Sequence, residues 1–163
     1  MSDPDDAPRS PAPSGGSPSP RSSSARPGTP LDPDTTTGPA VLDASAVLAW
    51  LQSEPGAEVV QSHLGDAVVG AVNFAEIHQK LAQHGVDADR TTRLLRTLGV
   101  RVEPFDAADA LTASRLWPAT RAAGLSLGDR CCLAVAARLG GPAVTADIAW
   151  SSLEVGVNVV SIR

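Results

Sequence analysis

Apolar positions along this chain follow two rhythms: short unbroken runs, and longer stretches in which they recur every three or four residues. Short runs bounded by turn residues read as strands buried on both faces, and the slower rhythm reads as helices. Val41-Leu42 makes the first strand, with a helix from Ser45 to Gln52 (SAVLAWLQ) behind it. Glu54-Pro55-Gly56 punctuates the chain before a second short helix, Ala57 to Leu64. The run Ala67 to Val72 predicts a second strand, and Phe74, Ile77 and Leu81 predict the next helix, ending near Gly85. Asp87 offers an N-cap for a helix through Leu98, stopped by Gly99. Val100 to Phe105 alternates as a strand does, and Asp106 to Ala123 is helical with Pro118 as a break. Ser126 opens a helix to Arg138 that stops at Gly140-Gly141, and apolar residues on nearly every side mark it as a buried central helix. Pro142 to Thr145 and Val157 to Ile162 supply the fourth and fifth strands.

Strands alternating with helices predict a parallel sheet covered on both faces. Right-handed crossovers leave few topologies, so the fold class is α/β: a three-layer α/β/α domain with a parallel sheet of about five strands. Residues 40–163 form that domain. Residues 1–39 differ in kind, holding ten of the fourteen prolines, eight serines and Leu31 as the only large aliphatic residue. Such a stretch buries too little surface to offset its ordering entropy, which predicts a disordered tail. It lacks the apolar core of a signal peptide, and no run in the chain is long enough to span a bilayer.

Over 40–163, ten Arg and Lys face thirteen Asp and Glu, so a nucleic-acid ligand needs a local basic patch. Cys131 and Cys132 are adjacent in the apolar helix and poorly placed to bridge, which predicts small core residues in a reducing, cytoplasmic setting.

Four acids carry the candidate chemistry. Asp43 closes Ala40-Val41-Leu42 and Asp147 closes Ala143 to Ala146, both at the carboxyl end of a strand, where open α/β sheets bind ligands. Asp129 lies in the first turn of the buried helix and Glu76 one turn after the second strand. Each has a plain structural alternative. Asp43 and Asp147 suit helix caps, and Ser126 to Asp129 reads as a capping box. Glu76 sits about 130° from the centre of the Phe74/Ile77/Leu81 stripe and can pair with Lys80 at i+4. The shared address is what points to function. Clustered carboxylates raise one another's pKa unless a cation intervenes, and an all-oxygen set favours Mg²⁺ or Mn²⁺. His63, His78 and His84 lack paired ligand spacing and read as surface residues.

The runs carrying these acids, Val41-Leu42-Asp43-Ala44-Ser45-Ala46, Ala71-Val72-Asn73-Phe74-Ala75-Glu76, Leu125-Ser126-Leu127-Gly128-Asp129-Arg130 and Thr145-Ala146-Asp147, together resemble the PIN-domain nucleases, most of all the VapC toxins of bacterial type II toxin–antitoxin pairs. The resemblance covers essentially all of 40–163 and none of the tail. It implies an Mg²⁺- or Mn²⁺-dependent endoribonuclease with Asp43, Glu76 and Asp129 as core ligands and Asp147 as a fourth. Ser45 and Thr145 would support them as hydroxyls. It also implies an RNA substrate, tRNA among the candidates, a cognate antitoxin and a homodimer. The family often has a basic residue after the fourth acid, where this chain has Ile148. That leaves Arg130, Arg115 and Arg121 to grip substrate phosphates. Arg90, Arg93 and Arg96 recur at i+3 and read as a solvated face or a stripe toward RNA.

Two other readings compete. A phosphoaspartyl enzyme would use Asp43 as nucleophile, but Ser45 stands where the haloacid-dehalogenase pattern needs a second Asp. A non-catalytic PIN-like module that binds RNA or protein would have no reason to keep four mutually repelling acids.

Overall fold

A computed structural model describes residues 37–163, so all but the end of the proposed tail lies outside the described residues. Five strands, β1 (Val41–Leu42), β2 (Val68–Gly70), β3 (Arg101–Glu103), β4 (Ala143–Thr145) and β5 (Val159–Ser161), form one sheet in the order β3-β2-β1-β4-β5. Every pairing is parallel, with Val41 opposite Val68 and Leu42 opposite Val144. The expected class is found.

Alternation along each strand sorts the core into two layers. Leu42, Val69 and Val144 point to one face, where they meet α1 (Ala44–Leu51), α2 (Ala57–His63), α3 (Ala71–Gln83) and α4 (Ala88–Thr97). Val41, Val68 and Ala143 point to the other and pack against Cys132, Leu133, Val135 and Ala136 of α7 (Leu127–Leu139). Ala113 of α5 (Ala107–Arg115) then packs on Cys131 and Ala134, so α7 is buried between sheet and helix, as its apolar surface requires. Both cysteines are free and buried.

The local stop signals act as expected: Asp87 caps α4, Ser126 caps α7 and Gly140 ends α7 in the left-handed conformation. The helix expected over 106–123 breaks at Pro118, which sits in the first turn of α6 (Trp117–Thr120) and is followed by a 3-10 turn at Arg121–Ala123. One boundary moves substantially. Ala71 and Val72, expected in the second strand, begin α3 directly after β2 with no loop between. That abrupt junction brings the first turn of α3 close to the end of β1.

Sheet order fixes where a site can form. The chain steps from β1 outward to β2 and β3, then returns through α7 to place β4 on the opposite side of β1. This reversal between β1 and β4 opens a crevice at their carboxyl ends.

Candidate active site

Asp43 stands at that crevice and is almost fully buried, with 3% of its surface exposed. It caps α1, its Oδ2 accepting hydrogen bonds from the Ser45 backbone N–H at 3.1 Å and the Ser45 hydroxyl at 2.5 Å. Thr145 at the end of β4 reaches the same oxygen at 3.3 Å, and its hydroxyl lies 3.1 Å from that of Ser45. Ser45 Oγ also accepts from the Ala146 N–H, and Thr145 Oγ1 from the Asp147 N–H. The two hydroxyls thus tie the ends of β1 and β4 together and hold the carboxylate in one orientation. Burial raises the Asp43 pKa above the usual carboxylate range. The Ser45 hydrogen bond works against that rise, and the negative charge of Asp129 adds to it.

The other oxygen, Oδ1, accepts from the side-chain amide of Asn73 at 3.0 Å, and the same amide reaches the Gly128 carbonyl at 3.3 Å. Asn73 is fully buried, and its own Oδ1 has no hydrogen-bond partner. Sequence reasoning passed over this residue. The signal was present: the buried line of α3 is Asn73, Ile77 and Leu81 at i, i+4 and i+8, with Phe74 only partly buried. An Asn in a core-facing register needs a polar partner inside. The corrected line also brings Glu76 to about 100° from the centre of the stripe.

Glu76 ion-pairs with Lys80 at 3.7 Å, and its side chain is 37% exposed. Its other end reaches α7, for a Cβ added at Gly128 would stand 3.0 Å from Glu76 Oε2. Glycine at 128 is what lets the two helices bring this carboxylate beside the start of α7. Asp129 follows, in a capping box in which its Oδ2 accepts from the Ser126 N–H at 2.6 Å and Ser126 Oγ accepts from the Asp129 N–H. Asp147 is exposed and caps the 3-10 turn Ile148–Ser152 through the Ala149 N–H at 2.9 Å.

The expected caps at Asp43, Asp129 and Asp147 and the expected Glu76–Lys80 pair are therefore all present. Among the described residues no three acids are already grouped closely enough to hold a metal ion. Asp129, Glu76 and Asp147 each hold a local partner instead. The donor set still suits a hard divalent cation. It is entirely oxygen, it includes a buried carboxylate under the field of a second one, and a buried amide oxygen beside it has no partner.

The three arginines expected at substrate phosphates take different positions. Arg130 folds back, its Nη1 donating to the Leu125 carbonyl at 3.0 Å, with Nε buried and unpartnered. Arg121 lies over the exposed ring of Trp117 at 5.2 Å, and Arg115 is exposed in the last turn of α5. Arg90, Arg93 and Arg96 are all exposed on α4. His78 pairs with Asp89 at 3.0 Å and His84 with the Lys80 carbonyl, both far from the acids in role. No helix among the described residues is long and apolar enough to cross a membrane.

A family model described as the PIN domain matches residues 40–155. No curated protein matches the chain in sequence. Among solved structures, a toxin–antitoxin complex from Klebsiella pneumoniae is similar with TM-score 0.61 and 14% identity, covering 76% of this chain and 98% of that one. FitAcB from Neisseria gonorrhoeae is similar with TM-score 0.58 and 22% identity, over 76% of this chain and 97% of that one. VapC20 from Mycobacterium tuberculosis, described as a Sarcin-Ricin loop cleaving toxin, has TM-score 0.58 and 18% identity over 69% of this chain and 93% of its own.

Proposed function

Because this chain belongs to the PIN-domain family, we propose that it is an endoribonuclease acting in the cytoplasm as the toxin of a VapBC-type pair, a homodimer silenced by a cognate antitoxin. The observation that carries the reading is Asp43, a buried carboxylate fixed at the β1–β4 crevice by Ser45, Thr145 and Asn73 with the charge of Asp129 acting on it. Evolving such a group for stability alone makes little sense, since burial works against its ionised form.

Asp43, Glu76, Asp129 and Asp147 would hold Mg²⁺ or Mn²⁺. When bound, such an ion lowers the pKa of water and screens charge on a phosphodiester. The chain's own residues do the positioning. Ser45 and Thr145 keep Asp43 from turning, so one of its oxygens always faces Asn73 and the other the hydroxyl pair. Asn73 bridges Asp43 to the start of α7 and so sets the distance at which Asp129 approaches. Glu76 sits on a flexible stem against bare Gly128 and can turn from Lys80 toward the crevice.

The test is cleavage of single-stranded RNA by the purified chain in Mg²⁺ or Mn²⁺, with Asp43→Asn and Asp129→Asn beside it and growth arrest read in parallel. The parent is expected to cut and to stop in EDTA, and both variants to lose cutting by about a hundredfold or more while keeping the fold. Full activity in either variant would overturn the reading. RNA binding by the parent with no cutting under any divalent ion would establish the alternative, a non-catalytic RNA- or protein-binding module.

A further inference from the structure

Beside the acids, between α1 and the 3-10 turn that follows β4, lies a groove of about 470 Å³ whose walls include Leu48, Ala49, Gln52 and Ile148. Ser45 and Asp147 line it as well, so it opens directly from the candidate active site. We propose that this groove seats one unpaired nucleotide of the RNA strand next to the bond that is cut, with Ile148 and Leu48 against the face of the base and Gln52 reading its edge. The inference rests on the ribonuclease reading above and names the part of the substrate that the same site would select.

Size, shape and polarity carry it. The volume lies within the range of about 300–1,000 Å³ usual for small-molecule pockets. One wall is apolar, and Ile148, 68% exposed, is a large side chain left open to solvent at its rim. A flat base covering Leu48 and Ile148 would remove that apolar surface from water. Gln52, one turn beyond Leu48 and exposed at the C-cap of α1, offers a donor and an acceptor side by side in its amide. That pairing matches the edge of a base, and RNA is read in sequence mainly through unpaired, splayed bases.

Among the described residues the groove itself offers no free positive charge, so the base would enter it while the phosphates lie toward the candidate ion site. Glu54, also in the wall, is ion-paired with Arg163, which leaves Asp147 as the acid facing the groove without a cationic partner among the described residues, and Asp147 belongs to the candidate ion site. The backbone is specialised here too. Ser53, between Gln52 and Glu54, has φ +55°, in the left-handed region that normally selects glycine. Its N–H donates to the Trp50 carbonyl and that of Glu54 to the Ala49 carbonyl, closing the end of α1 beside the groove.

The experiment cuts a randomised single-stranded RNA pool with the full chain in Mn²⁺ and sequences the ends, for the parent, Gln52→Ala and Ile148→Ala. Both side chains are exposed, and equal thermal midpoints would show that the variants fold. The parent is expected to favour one base at one position beside the cut. Each variant should flatten that preference by about tenfold and raise KM more than it lowers kcat. A parent that cuts without base preference overturns the inference, as does a preference unchanged in both variants. Weaker antitoxin binding with the preference intact overturns it as well, because the groove would then belong to the protein partner. No cutting by the parent is a different result: it overturns the ribonuclease reading itself, and the nucleotide site falls with it.

Discussion

Asp43 carries a conflict between chemistry and folding. Its pKa is raised mainly by burial, so the folded chain holds this proton to a higher pH than the unfolded chain does. The stability that goes with the proton is full below the ordinary carboxylate range and is lost as pH rises through the folded-state value. Asn at 43 would keep the cap, and the unpartnered Asn73 Oδ1 could accept from its amide. In EDTA, Asp43→Asn should therefore melt above the parent at pH 7, with the gap closing as the solution is acidified. A gap that widens toward low pH would contradict the assignment. Gly128 offers a second test at the same scale. A methyl group there must push aside the flexible end of Glu76, while helix propensity gains about 1 kcal/mol. Gly128→Ala should keep the parent's stability within about 1 kcal/mol and lose activity by about a hundredfold, a pairing that melting curves and cleavage rates check together. At this scale the places of Asp43 and Asp147 at strand ends and of Asp129 at a helix start were legible, while Glu76, in the second turn of α3, offered only its spacing to Lys80. Asn73 was legible only as a polar residue in a core-facing register, and its partner thirty residues away was not.

Helices were readable from their caps, and Asp87, Ser126 and Gly140 each mark the position where an element starts or stops. The junction of β2 with α3 was not, because Ala71 and Val72 suit either state and packing against the sheet decides between them. Contacts between elements were also hidden. Arg138, in the last turn of α7, donates to the buried Asp109 of α5 at 2.8 Å, to Glu103 of β3 at 3.0 Å and to the Pro104 carbonyl at 2.9 Å. Asp109 is only 2% exposed and also closes the capping box of α5. Removing its partner leaves a buried carboxylate unpaired. Arg138→Ala should cost about 2–3 kcal/mol, toward the low end for an interior pair because the guanidinium is itself a third exposed. Urea denaturation measures this, and Asp109→Asn in the same background should recover part of the loss.

For the molecule as a whole, alternation of strands and helices was enough to predict a parallel three-layer domain. The strand order was beyond local pattern, since it depends on where α7 returns the chain. Mild acidity over 40–163 also makes whole-molecule behaviour sensitive to cations. An ion bound by the native acids and by no unfolded chain stabilises by mass action, about 2.7 kcal/mol at a hundredfold excess over Kd. Thermal scans should show the parent rising with Mn²⁺ concentration and Asp43→Asn responding far less. Equal shifts in both would place the ion elsewhere.

The hydroxyl bridge between Ser45 and Thr145 joins residues 100 positions apart. A chain made from its N-terminus has β1, Asp43 and Asn73 in hand early, and lacks the clasp that fixes Asp43 until β4 has emerged. Copies that stop short of β4 lack the Thr145 hydroxyl and leave Asp43 held by Ser45 and Asn73 alone. On the proposed reading, the carboxylate at the centre of the site takes up its fixed orientation only after most of the domain has been made.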